Sequence, residues 1–544
     1  MCGKAEIKAA IDGERTVLGI ELGSTKIKAV LITENYELVA SGSYTWESLY
    51  ENGVWTYPLE EVWKGLRAAY AGLAEDVRSQ YGTELRKVRS MGVSAMMHGY
   101  LAFDGEGRLL APFRTWQNTN TGPAAAELSR LFNFNIPQRW SIAHLYQAIL
   151  NRETHVGKIC FLTTLAGYVH WALTGRKVLG IGDASGMFPI DSETLNYDQS
   201  MLKQFGELTV SCKYSWKLPE ILPEVLTAGE AAGTLTESGA RRLDPSGVLQ
   251  SGIMFCPPEG DAGTGMTATN SVGAGTGNVS AGTSVFAMVV LEKRLKNAYR
   301  QIDMVATPAG RPVAMVHCNN CTGDLNAWVQ LFLEYSERLQ VSADPGEVYQ
   351  AFYREAAKGE PDCGGVVVCN YLAGEPVANL EEGYPMVLRV KKQPFTLPNF
   401  CRASLYSAIA TLKMGMDILA EEEVGVNRLM GHGGLFRNGD IGAEILAAAV
   451  DTAISTMGTA VMGGPYGMAL LAAYARDRKK GEGLEEFLSE QVFARSQVTE
   501  TKPDAVNVAG FRNYMKYFKV MLKAEKTAVD NLKQEGQTKY AEGL

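Results

Sequence analysis

Three short Gly-rich turns carry the chemical pattern of this chain: GSTK at 23–26, GTS at 282–284 and GHGG at 431–434, each ending an apolar strand. Glycine at such a turn lets backbone N–H groups come close to an anion, and Ser and Thr hydroxyls add donors. One such turn is an ordinary hairpin. Three of them, bracketing a repeated pattern, point to a nucleotide gripped between two domains. Two carboxylates stand beside the turns: Glu21, two residues before Gly23, and Asp261 in the loop EGDAGTG. Phosphoryl transfer needs a carboxylate to hold a metal near the phosphates and a group to orient or deprotonate the acceptor hydroxyl. Without further context, an Asp in a Gly loop reads first as a turn former and a Glu at a strand end as a solvated group. The sequence contains no GxxxxGK[ST], no GxGxxG after a strand, no HExxH and no GxSxG, so those routes to catalysis are unsupported.

The elements that must position these residues alternate along the chain. Apolar runs at 17–22, 27–32 and 37–43 predict a β-meander, followed by a helix over 59–78 and a buried strand in VRSMGVSAMM. DGEG at 104–107 predicts a turn. Residues 260–284 read as a second Gly-rich hairpin leading into the strand VFAMVVL. The segment GTSVFAMVVL at 282–291 echoes GSTKIKAVLI at 23–32, which suggests an internal duplication. Helices are expected over 323–339, 403–422, 441–455 and 464–478, and strands at 366–372 and 427–434. A charged amphipathic helix is expected over about 509–535, its Lys-rich face solvated. The expected division is a tail at 1–15, domains at 16–277 and 278–508, and a helical tail at 509–544.

The 544 residues are 46% hydrophobic and 21% charged, which excludes the disordered and fibrous classes. A formal charge of −8 argues against nucleic acid or an anionic membrane as the main partner. The first sixteen residues lack the apolar stretch of a secretory signal, and nine scattered cysteines fit a reducing cytoplasm. HCNNC at His317–Cys321, with Cys363 and Cys369 farther on, offers one close pair where a structural zinc site has two, and reads as small buried residues at a strand end.

GIELGSTKIKAVLI resembles the opening of the FGGY family of carbohydrate kinases. MGVSAMMHGYLAFDGEGRLLAPFRTWQN (91–118) is similar to the sugar-side segment of its xylulokinase branch, and ALTGRKVLGIGDASGMFPID, EGDAGTG, NVSAGTSVFAMV, NYLAGE, MGHGGLFRN and GPYGMALLAAY follow in the family's order. The resemblance covers about residues 16–525. It implies an α/β fold of two actin-like (ribonuclease H-like) domains around a central cleft, ATP and Mg²⁺ as cofactors, a sugar as acceptor and a possible homodimer. Asp261 matches the catalytic base that also touches the sugar, and Glu21 the acidic residue that holds Mg²⁺. Gly23, Ser24 and Thr25 with Gly282, Thr283 and Ser284 match the phosphate hairpins, and Gly433 and Gly434 the adenosine-side turn. Met97, His98, Gly99 and Trp116 match the sugar pocket. A ketopentose such as xylulose is the expected acceptor. A different ketose or polyol, or a non-catalytic sugar- or nucleotide-binding protein on the same fold, is the alternative. Departures from the family pattern are Glu21 for Asp, Met96 for Gln, Ala262 for Asn, Pro376 for Arg, and Tyr406 where an acidic or amide residue is usual; they are expected to fall largely on the sugar side.

Overall fold

In the computed structural model, residues 3–391, 393–436, 440–457 and 463–541 are described, with side chains to Leu532. The largely apolar run Val17–Leu22 (β1) is buried at every position, as a strand covered on both faces must be. A tight turn returns the chain as Lys26–Ile32 (β2), and Leu38–Thr45 (β3) completes the antiparallel meander. Helix Leu59–Tyr81 (α1) lies on β3, burying Val62, Leu66, Tyr70, Leu73 and Val77 at helical spacing and ending at Gly82 in the left-handed conformation. The chain then enters Ser90–Ala95 (β4), parallel to β1. The short strands Met254–Phe255 (β5) and Glu259–Gly260 (β6) both pair in parallel with β4, giving the order β5-β4-β1-β2-β3 with β6 also on β4.

The second half repeats this plan. After helix Asp261–Ala268 (α2), strands Thr276–Ala281 (β7), Val285–Val290 (β8), Asp303–Ala306 (β9) and Pro312–Cys318 (β10) pair antiparallel, with β9 at the sheet edge. Helix Leu397–Glu421 (α3) precedes Arg428–His432 (β11), which joins β7 in parallel, as β4 joins β1. Helix Ile441–Val450 (α4), Ile454–Met457 (β12) and Val498–Thr501 (β13) complete the order β9-β10-β8-β7-β11-β12-β13. The echo between residues 23–32 and 282–291 is therefore a topological repeat: a meander followed by a parallel crossover.

Three expectations change. The segment 260–284 is not simply a hairpin, because α2 forms within it. That helix packs against helix Gly463–Asp477 (α5), whose Gly467 has no room for a Cβ, which would lie 1.9 Å from the carbonyl oxygen of Thr264. The helix expected over 441–455 stops at Val450, where Asp451 takes a φ of +53° and the chain turns into β12. The C-terminal helix starts earlier, at Ala505, and runs to Ala541 (α6). It buries Phe511, Tyr514, Phe518 and Met521 in the core of the second lobe while Lys516, Lys519 and Lys523 face solvent.

Helix α5 crosses between the halves. It belongs by sequence to the second and covers a face of the first sheet. A Cβ on Gly19 of β1 would lie 2.1 Å from the Pro465 carbonyl, and the Ser90 hydroxyl of β4 donates to the Ala472 carbonyl at 2.8 Å. Among the described residues no helix is long and apolar enough to cross a membrane.

Candidate active site

The first Gly turn is anchored from behind. The Gly23 N–H donates to the Lys26 carbonyl at 3.0 Å and closes the β1–β2 turn. The indole N–H of Trp46 donates to the Gly23 carbonyl and the Tyr57 hydroxyl to the Ser24 carbonyl, both at 2.7 Å, from rings stacked 4.3 Å apart. Thr25 is exposed at the tip. The second turn repeats the device: the Thr322 hydroxyl donates to the Gly282 carbonyl at 2.7 Å and the Cys321 N–H to the Thr283 carbonyl at 2.9 Å. In both turns, protein donors engage carbonyls that would otherwise repel an anion. Gly282 also accommodates its own closing bond, donating to the Ser284 carbonyl at 2.9 Å. The third turn joins the second: Gly433 has a φ of +103°, and a Cβ there would lie 2.4 Å from the Ala281 carbonyl, with Gly434 just beyond. Arg437 and Asn438 of the MGHGGLFRN motif lie outside the described residues.

Glu21 sits near the end of β1, almost wholly buried, with Lys28 Nζ 3.4 Å from its Oε2. Burial pushes its carboxyl up and the Lys28 charge opposes this. A Cβ on Gly464 would lie 1.9 Å from Glu21 Oε1 and 3.1 Å from the Thr264 hydroxyl, so Glu21, α2 and the start of α5 meet at one point.

Asp261 opens α2. Its Oδ1 accepts the Met97 N–H at 3.2 Å. The residue reaches solvent, yet the surrounding protein and the charge of Glu21 push its carboxyl up to about 6, against the stabilising pull of the backbone N–H groups of Met97, Ala262 and its own. Met97 packs on the residue before it, since a Cβ on Gly260 would lie 2.2 Å from Met97 Cγ. His98 and Gly99 follow with φ of +69° and +91°. At Gly99 a side chain would meet the Phe113 ring at 2.8 Å and the Arg114 carbonyl at 2.9 Å. His98 donates from Nδ1 to the Gly186 carbonyl at 3.1 Å, and its ring stacks 6.2 Å from that of Trp140. Burial and the Arg139 charge hold the imidazole well below its usual range, so it is neutral, and with the proton on Nδ1 its Nε2 is the acceptor. Met97, His98, Gly99 and Asp261 thus form one cluster, electrostatically coupled to Glu21.

Trp116 is 37% exposed and lines a cavity of about 650 Å³ between the lobes, together with Arg139, Asp303, His317 and Asn319. Pro376 lies in the same wall. Tyr406 does not lie there. It is fully buried in the second lobe, donating to the Pro361 carbonyl at 2.9 Å and tilted against Phe511, so this departure is a matter of core packing under α6. Cys318 ends β10 and Cys321 follows it, both buried in the core.

Sequence reasoning passed over two more acids. Glu259, just before Asp261, accepts the N–H groups of Gly182 at 3.2 Å and Asp183 at 3.0 Å; Asp183 accepts the Thr164 hydroxyl at 2.7 Å. Burial pushes each up to about 8, and each also feels a neighbouring acid, Asp183 at Glu259 and Asp261 at Asp183. The only signal for them was an acid set among glycines, in GIGDASG and PPEGD.

Residues 16–250 match the N-terminal domain of the FGGY family of carbohydrate kinases, and residues 277–476 its C-terminal domain. The chain is similar to xylulose kinase of Haemophilus influenzae, 21% identical over 517 residues that cover 92% of this chain and 98% of the relative. It is 24% identical to glycerol kinase of Thermococcus gammatolerans over 235 residues, 40% of this chain and 44% of that one. The solved xylulose kinase of Lactobacillus acidophilus superposes with a TM-score of 0.77 at 15% identity, over 95% of this chain and 99% of the other. The gluconate kinase of the same organism gives 0.76 at 16%, over 95% and 99%. The repeated meander, the paired Gly turns and these matches agree: the chain belongs to the FGGY family of carbohydrate kinases, enzymes that phosphorylate a sugar with ATP on a two-domain actin-like fold.

Proposed function

We propose that the protein transfers the γ-phosphate of ATP to a hydroxyl of a ketopentose such as xylulose. The observation that carries this reading is Asp261: a carboxyl pushed up to about 6, held by the Met97 N–H and set beside His98. A base poised just below neutral is ionised at working pH, yet basic enough to take the acceptor proton. His98 Nε2 accepts a second sugar hydroxyl and Trp116 offers its exposed ring to a sugar face. Turns 23–25 and 282–284 hold the phosphates, while Gly433 and Gly434 leave space for the adenosine side.

The donor set fits Mg²⁺. Glu21 and Asp261 are neighbouring carboxylates, and this ion needs only one or two besides phosphate oxygens and water. Glu21 would hold it, and bound there it would offset charge on the transferring phosphoryl group. The cleft between lobes at 16–277 and 278–508, with flanking segments 1–15 and 509–544, keeps bulk water from competing with the sugar. A reducing cytoplasm, which the scattered spacing of the cysteines suits, is the compartment proposed, and a homodimer the assembly.

ADP release measured over a panel of ketopentoses, ketohexoses, polyols and sugar acids with Mg²⁺ tests the reading. The highest kcat/KM is expected for a ketopentose. A preference for glycerol or another polyol overturns the sugar assignment, and ATP hydrolysis indifferent to every acceptor overturns the kinase reading.

A further inference from the structure

The edge strand of the second sheet, β9, touches both sides of the His98 cluster on the first lobe. At its start, Asp303 is buried and accepts the Asn135 side-chain N–H at 2.8 Å and the Arg139 guanidinium; Asn135 also donates to the Ile302 carbonyl at 3.1 Å. Arg139 belongs to the turn that supports His98. Its carbonyl accepts the Gly99 N–H at 3.4 Å, and the next residue is Trp140, whose ring stacks on His98. At the strand's other end, the Ala306 N–H donates to the Ser185 hydroxyl at 2.9 Å. Ser185 in turn donates to the Gly182 carbonyl at 2.6 Å, and the following carbonyl, of Gly186, is the one that fixes the His98 ring. Between these ends Val305 and Ala306 share a hydrophobic cluster with Met187, Phe188 and Ile190 of the first lobe.

We propose that β9 is the strut of the acceptor site, with Asp303 a positioning residue supplied by the lobe opposite the sugar. A sheet edge normally needs cover. Here the cover is the first lobe, and both ends of the contact lead to one histidine. His98 sits at a φ of +69°, which a non-Gly residue holds only when its surroundings fix it. The strut means that the acceptor site reaches its working shape only with the lobes together, so that sugar selection and lobe contact are one equilibrium. The kinetic half of this inference rests on the kinase reading above.

The test uses the full-length protein with Asp303→Asn, Asp303→Glu and Asn135→Ala. Amide hydrogen exchange read by mass spectrometry gives a readout that needs no substrate. In Asp303→Asn and Asn135→Ala, the segments 97–100 and 139–141 should exchange faster, with α3 and α6 unchanged. With the best acceptor, KM for the sugar should rise by about 10- to 100-fold, the range for losing a charge-assisted hydrogen bond, and by several-fold more than KM for ATP. Asp303→Glu should recover part of both effects. Unchanged exchange at 97–100, or equal rises in both KM values, overturns the proposal. A chain-wide rise in exchange marks a merely structural role and overturns it as well. Failure of the wild-type protein to phosphorylate any sugar would instead count against the kinase reading, since the exchange readout is independent of it.

Discussion

Substituting Asn for Asp261 replaces one carboxylate oxygen by an amide nitrogen and so removes the basicity and the charge while keeping the size of the side chain. The amide oxygen can still accept the Met97 N–H, now 3.2 Å from Oδ1, and the residue stays the first of α2, so the fold should persist. A carboxyl pushed up to about 6 is about nine-tenths ionised at pH 7, about half at pH 6 and about one-tenth at pH 5. Because the ionised form is the active one, kcat/KM of the wild-type enzyme should rise with pH and flatten above about 7. The fall from pH 7 to pH 5 should be about tenfold. Loss of a general base costs about 100- to 10,000-fold, or about 3–5 kcal/mol of barrier. Asp261→Asn should therefore lose that much in kcat, and what activity it keeps should no longer follow the acid limb. ADP release followed from pH 4.5 to 8.5 for both proteins is the assay, with thermal melting to confirm the fold. A wild-type profile that stays flat between pH 5 and 7, or an Asn variant within about tenfold of wild type, refutes the reasoning.

Gly464→Ala should drive a methyl group into Glu21 Oε1, 1.9 Å from the built Cβ, and lower kcat by about 100-fold through a shift of roughly 1 Å in that carboxylate. Gly483→Ala, with open space around it, should behave as wild type in the same assay. Gly19→Ala places a Cβ 2.1 Å from the Pro465 carbonyl and should cost about 1–3 kcal/mol or more, read as a lower denaturant midpoint. Asp183 is pushed up to about 8 in the fold, so it binds a proton that the unfolded chain releases near pH 4. Its contribution to stability is full below that point and is lost as pH rises towards 8. Asp183→Asn should therefore gain on wild type between pH 5 and 8 in urea titrations, and an equal gap at both values would count against it.

Much of the frame was legible because it depends on local pattern. The run VLGIEL, the turn at Gly23 and the run KIKAVLI form strands, turn and register together, since β-branched runs around a Gly turn have few other solutions. Asp261 and His98 were legible through the motifs around them. Helix α2 was not, because its glycines read as turn residues, and the helix α5 that packs on it, with Gly467 against Thr264, comes some 200 residues later in sequence. Glu259 and Asp183 escaped for the same reason: their burial and pairing come from segments about 75 residues apart that no short window holds. Tyr406 misled because position in a family signature says which residue type is usual, while its role here is set by contact with Phe511 on α6.

The crossing of α5 has a consequence for how the molecule could be divided. A fragment ending before residue 463 would expose the small-residue face of its first sheet, where Gly19 and Gly92 are shaped to receive Pro465, Met468 and Ala469. A fragment starting near 277 would carry that helix with no sheet to dock on. Neither half is a self-sufficient unit, although each follows the same plan. Two such fragments produced together should reassemble through this helix.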